Sequence, residues 1–170
     1  RVLSTERTLS HLKALDTDFW QGEAARLLPN ETFSDRRTLS VGGKAIELIH
    51  PGAGHTDGDL VVLFRDEGVL HTGDLMFNHY YPNIDLEAGG SVQQWVPTLE
   101  TLLRLDFTRV IPGHGETTDR AGLRQLEGSL LAFKTMEEID LDGLVAQRRN
   151  VILPGVAIIS ALFDVLGIEH

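Results

Sequence analysis

The chain has 170 residues, with 15 Lys+Arg against 25 Asp+Glu and a formal net charge of −10. Its 42% hydrophobic and 24% charged content suits one globular domain and excludes a wholly disordered chain. The acidic balance argues against nucleic acid or an anionic membrane as the main partner, and the absence of Cys excludes disulfides, thiolate ligands and cysteine nucleophiles.

In chain order, Thr5 to Leu15 places Leu9, Leu12 and Leu15 at helical spacing, with Ser4 or Thr5 as N-cap. Residues 16–37 read as a polar loop with a short helix near Glu23 to Leu28. Residues 38–41 and 45–49 flank Gly42-Gly43 and predict a hairpin. Leu60 to Phe64 is a short apolar run that predicts a buried strand, and Val69 to Thr72 a further strand stopped by Gly73-Asp74. Phe77 to Gly90, rich in Asn, Pro, Gly and Tyr, reads as a long loop of the kind that often carries function. A helix is predicted from Ser91 to Leu105, with Trp95 and its Leu residues as core and Pro97 uncomfortably deep. A strand at Phe107 to Ile111 and helices at Asp119 to about Glu138 and at Leu153 to Leu166 complete the chain. The order of elements predicts an α/β fold with a mixed or antiparallel sheet and flanking helices. No apolar run reaches the roughly 18 residues of a membrane-spanning helix. The expectation is a soluble protein, cytoplasmic or periplasmic.

Three loops share a layout. Gly54-His55-Thr56, Gly73-Asp74 and Gly113-His114-Gly115 each follow an apolar strand and present His or Asp beside Gly. Glycine permits close approach of neighbouring loops, and imidazole and carboxylate donors suit zinc and also accommodate Fe or Mn. Each loop alone has a plain reading as a turn or cap. Three of them at strand ends in one α/β chain point to a shared metal site.

The run Gly54-His55-Thr56-Asp57-Gly58-Asp59-Leu60, then Thr72-Gly73-Asp74-Leu75, then Ile111-Pro112-Gly113-His114-Gly115 resembles the second half of the metallo-β-lactamase superfamily. The spacings, 19 residues from His55 to Asp74 and 40 from Asp74 to His114, are similar to those of its hydrolase members. The resemblance covers Arg1 to about Leu126; residues 127–170 read as a helical tail of the same single, partial domain. It implies part of an αββα sandwich and a binuclear zinc hydrolase, with His55, Asp74 and His114 as metal ligands and Asp74 bridging the two metals. In such a site, metal-bound hydroxide attacks an ester, thioester, lactam or phosphoester of a small-molecule substrate.

The family's first motif, His-x-His-x-Asp-His, is absent: none of His11, His50, His55, His71, His79, His114 and His170 forms an x-spaced pair. In the family that motif precedes the segment resembling Arg1 to Ala14. The expectation is a fragment of a longer protein, with the missing N-terminal segment or a second copy of the chain, in a homo-oligomer, as its partner. The alternatives are a non-catalytic fragment with a weak or empty metal site, an iron-dependent redox enzyme of the sulfur dioxygenase kind, and a plain binding domain. Asn78, His79, Tyr80 and Tyr81 sit in the loop that lies close to the metals in the family, which makes Asn78, His79 and Tyr81 substrate-binding candidates. His50 reads as a hydrogen-bonded strand-end residue, and His71 as structural or orienting the Asp74 loop. Asp57 and Asp59 either orient His55 or cap its turn. His11 and His170 read as surface residues.

Overall fold

In a computed structural model, residues 1–137 are described. The chain divides into two compact units, Arg1–Glu127 and Gly128–His170. The first carries every candidate site residue. The helix expected at Leu153 to Leu166 lies outside the described residues, as does His170.

The chain opens with strand β1 (Leu3–Thr5), which runs directly into helix α1 (Glu6–Leu15). Thr5 is the N-cap; its hydroxyl accepts the Thr8 amide at 3.2 Å and satisfies one orphan donor of the first turn. Glu6 in the first turn and Lys13 in the last complement the helix dipole. None of the α1 residues is buried, and Leu15 is openly exposed. The leucine stripe that marks α1 as a helix is therefore only half covered.

Residues 16–37 are less irregular than the sequence suggests. They hold a 3₁₀ turn at Ala24–Leu27 and a strand, β2 (Glu31–Phe33), paired in parallel with β1. Three-residue strands have no readable alternation.

The main sheet has five strands in the order β3-β4-β5-β6-β7. β3 (Arg36–Val41) and β4 (Lys44–Ile49) form the expected hairpin. β5 (Val61–Phe64) continues the sheet and is buried on one face, where Val61 and Leu63 are fully covered. β6 (Val69–Phe77) pairs antiparallel with β5 and parallel with β7 (Arg109–His114), so the sheet is mixed.

β6 departs from expectation. It does not stop at Gly73-Asp74 but runs nine residues to Phe77 through two register shifts, at His71/Gly73 and at Gly73/Phe77. Such irregularities re-aim side chains within a strand, and Gly73 adopts a φ of +54°, which a residue with a Cβ takes only under strain.

Helix α2 (Val92–Leu103) is capped by Ser91, which accepts the Gln94 amide at 3.3 Å. Pro97 lies within its second turn and the helix continues through it. Trp95, Leu99 and Leu102 are fully buried. Trp95 Nε1 donates to the Leu75 carbonyl at 3.1 Å and the Thr98 hydroxyl to the Ala53 carbonyl at 2.7 Å, which lays the buried face of α2 against β6 and the residues leading to His55.

Helix α3 (Arg120–Glu137) begins with a residue that closes α2. Arg120 donates to the Leu103 carbonyl at 2.7 Å and to the Leu105 carbonyl, and its guanidinium lies 4.3 Å from the centre of the Phe107 ring. The Leu103 carbonyl is one that the end of α2 leaves without an intrahelical partner, and Leu105 follows the C-cap Arg104. Charged hydrogen bonds contribute about 1.5–3 kcal/mol each, so Arg120→Ala is expected to lower unfolding stability by about 2 kcal/mol. Urea unfolding of the two proteins measures this, and a change below about 0.5 kcal/mol would contradict the assigned role.

Among the described residues, no helix is long and apolar enough to cross a membrane.

Candidate metal centre

The three loops singled out by sequence meet at one end of the sheet. His55 Nε2 lies 3.7 Å from Asp74 Oδ2, and His114 Nε2 lies 3.5 Å from Asp74 Oδ1. Each imidazole thus faces a different oxygen of one carboxylate. Asp74 comes from the irregular part of β6, His114 from the end of β7, and His55 from the turn before β5. Parallel pairing of β6 with β7 sets Gly73 opposite Pro112 and the two strand ends, Phe77 and His114, opposite each other.

The approach depends on Gly113. A Cβ there would lie 2.1 Å from Asp74 Oδ1 and 2.7 Å from the Gly73 carbonyl carbon. Gly113→Ala is expected to displace the Asp74 carboxylate or the β6 backbone, at about 1–3 kcal/mol of overpacking cost. Denaturant titration together with the amide NMR shifts of Gly73 and Asp74 tests this; unmoved shifts would contradict it.

The His55 imidazole is oriented by its far nitrogen. Nδ1 lies 2.9 Å from the Asn83 carbonyl oxygen, which only accepts, so Nδ1 carries the hydrogen. In the neutral ring Nε2 then presents a lone pair toward Asp74. At 3.7 Å that pair of atoms makes no hydrogen bond. A ring nitrogen held by a backbone carbonyl on one side and open on the other is the usual arrangement of a metal-binding histidine.

Phe77, which sequence reading did not single out, forms the wall between the two histidines. Its ring stacks on His114 with centroids 4.8 Å apart and lies 6.3 Å from the His55 ring. The apolar spacing of β6 gives it no distinguishing signal. Asn83 was missed for a different reason: it acts through its carbonyl, which every residue possesses.

His71 accepts the Gly73 amide on Nδ1 at 3.1 Å, in keeping with an orienting role next to Asp74. His50 Nδ1 donates to the Asp59 carbonyl at 2.6 Å, the hydrogen-bonded strand-end role expected of it. The Asp59 carboxylate accepts the Thr56 amide at 3.1 Å and the Thr56 hydroxyl at 2.6 Å and so caps the His55 turn. Burial pushes the Asp59 carboxyl above its ordinary range, against the pull of the Thr56 bonds. His11 is not a free surface residue: its Nε2 lies 2.7 Å from Asp57 Oδ1, while Arg7 Nη1 lies 2.9 Å from Oδ2. Partial burial raises the Asp57 carboxyl, but the His11 and Arg7 bonds and charges outweigh it, and the net shift is downward.

Of the loop candidates, Asn78 is buried, with its amide N–H bonded to the His114 carbonyl at 2.9 Å and its side chain donating to the Glu116 carbonyl at 2.9 Å. His79 has a φ of +59°, and Tyr80 and Tyr81 are exposed.

The donors suit zinc in kind: two imidazoles and a carboxylate. Among the described residues, no group of three or more His, Asp or Glu closes around a single point tightly enough to hold an ion. Two donors at each side of Asp74 fall short of the four that zinc usually takes.

The fold is a mixed-sheet α/β arrangement that gathers His55, Asp74 and His114 at one end of the sheet. The chain belongs to the metallo-β-lactamase superfamily, whose family model matches residues 4–114. It is 27% identical over 142 residues to the 2,4-dinitroanisole O-demethylase subunit alpha of Nocardioides sp. (strain JS1661), a match covering 83% of this chain and 42% of the relative. It is 31% identical over 84 residues to the metallo-beta-lactamase type 2 of Bacillus cereus, covering 48% of this chain and 33% of the relative. The solved metallo-beta-lactamase from Pontibacter korlensis superimposes with a TM-score of 0.64 at 24% identity, over 76% of this chain and 57% of that one, and supports the fold. The matched parts span 42% and 33% of the two curated relatives and 57% of the solved structure.

Proposed function

We propose that this chain supplies His55, Asp74 and His114 to the metal centre of a hydrolase, with Asp74 between two metal positions and one histidine at each. The observation that carries the reading is the pair of imidazole nitrogens facing separate oxygens of one carboxylate, 3.7 and 3.5 Å away, with His55 locked by the Asn83 carbonyl so that its lone pair points inward. A histidine lone pair facing a carboxylate across a gap that no hydrogen bond closes suits a cation. Ligands beyond these three complete each position. Membership of the superfamily supports metal-dependent hydrolysis as the class of chemistry.

Zinc bound there supplies a Lewis acid and, at neutral pH, a nucleophile from water. The chain's own residues do the rest. Asn83 and Phe77 hold the His55 and His114 rings in orientation. His71 holds the Gly73 amide beside Asp74. Asn78 ties the start of the long loop to the His114 strand, and the reading takes His79 and Tyr81, in that same loop, as contacts for a small-molecule substrate. His114 is half exposed, so the centre opens to solvent and to substrate.

The test is metal analysis of the protein together with a panel of ester, thioester, lactam and phosphoester substrates. Bound zinc and turnover of one of these classes is the expected result. Absence of bound metal after purification with added zinc, or iron with no hydrolysis, would sink the proposal.

A further inference from the structure

The residue two positions beyond His55 is tied down more firmly than its turn requires. Asp59 already caps that turn through Thr56, so Asp57 is not needed for the local backbone. Its carboxylate instead reaches across to α1, where Oδ2 accepts Arg7 Nη1 at 2.9 Å and Oδ1 accepts His11 Nε2 at 2.7 Å. With one donor on each oxygen, the carboxylate plane is held against rotation. The next residue is held from the same element: the Gly58 carbonyl accepts the Thr5 hydroxyl at 2.8 Å and the Thr8 hydroxyl at 3.0 Å.

The other side of Asp57 meets the segment that orients His55. The Asp57 amide donates to the Ala88 carbonyl at 2.9 Å, and its Cγ lies 2.8 Å from where a Cβ on Gly89 would sit. That segment touches the His55 loop three times. Asn83 takes the Nδ1 hydrogen, the Asp85 amide donates to the His55 carbonyl at 2.9 Å, and the Ser91 amide donates to the Gly54 carbonyl at 2.9 Å. Asp57 is therefore the junction between α1 and the carbonyl that sets the histidine's tautomer.

We propose that Asp57, gripped by Arg7 and His11, is a positioning residue for His55: the clamp fixes the loop so that Nε2 stays aimed at Asp74. The inference rests on the reading of His55 as a metal ligand. It predicts that helix α1, far from the reacting groups in sequence, controls how tightly this side of the centre holds metal.

The experiment measures zinc affinity by chelator competition and the visible spectrum of the cobalt-substituted protein, with thermal unfolding recorded in parallel. Asp57→Ala, and Arg7→Ala combined with His11→Ala, are expected to weaken zinc binding about 10–100-fold and to alter the cobalt spectrum. His11→Gln, which keeps an N–H donor near the original nitrogen, is expected to recover most of the affinity lost in His11→Ala. If Asp57→Ala does not fold, the Arg7/His11 pair answers the same question. Zinc affinity and cobalt spectrum indistinguishable from the unaltered protein, whatever happens to the melting temperature, would overturn the inference. Failure of the underlying site reading looks different: His55→Ala itself would then bind zinc normally. Loss of zinc in His55→Ala with no effect in the clamp variants rejects the clamp alone.

Discussion

On the proposed function, Asp74→Asn is expected to reduce hydrolysis by a factor on the order of 10³ or more, and to lower the metal content of the same preparation. Both Asp74 oxygens face an imidazole nitrogen, at 3.7 Å on the His55 side and 3.5 Å on the His114 side. Asn keeps the size of the side chain but offers one oxygen and one NH₂. One of the two positions then meets a hydrogen-bond donor where it needs a lone pair. A metal contributes several kcal/mol of charge stabilisation in the transition state, and about 1.4 kcal/mol corresponds to tenfold in rate, which sets the scale of the loss. Measuring turnover, zinc content and unfolding stability on one preparation separates this from collapse. A variant that retains two metals and full turnover would remove Asp74 from the centre.

Trp95→Ala should produce the largest loss of stability of any single change in α2. Trp95 is fully buried, and truncating a buried Trp or Phe to Ala typically costs about 3–5 kcal/mol. The same change leaves the Leu75 carbonyl without its indole donor, adding about 1–3 kcal/mol if no water replaces it. Since whole domains are stable by only about 5–15 kcal/mol, the variant is expected to sit close to unfolding at room temperature. Trp95→Phe keeps most of the packing and loses the bond, so its cost should be about 1–3 kcal/mol. Denaturant unfolding of both variants tests the ranking, and an equal cost for the two would show that packing contributes little at this position. The loss would reach the site as well. Trp95 lies edge-on to Phe77, 6.4 Å between centroids, and fills the space in front of Gly54, where a Cβ would come within 3.0 Å of the indole.

Much of the fold was legible because the relevant signals are local. The Gly42-Gly43 hairpin, the Ser91 and Thr5 caps and the apolar face of α2 each depend on a few neighbouring residues, and each is present as read. β2 was missed because three residues carry no period. The end of β6 was misplaced because Gly73-Asp74 has the composition of a turn, yet the chain there stays extended through a bulge against β7. That bulge depends on a partner strand 40 residues away in sequence, which no local pattern records.

The site divides along the same line. His55, Asp74 and His114 were legible as three Gly-flanked donors in order, and that much the amino-acid sequence determined by itself. It also determined that these 170 residues contribute no cysteine to the site. Only the tertiary structure decided that each histidine faces its own oxygen of Asp74, that Phe77 stacks against His114, and that the partly exposed His11 grips Asp57. The physical reason is that these are relations between side chains brought together by strand pairing and helix packing. A residue type states what chemistry is available, whereas the distance and direction between two donors follow only from how the backbone that carries them is folded.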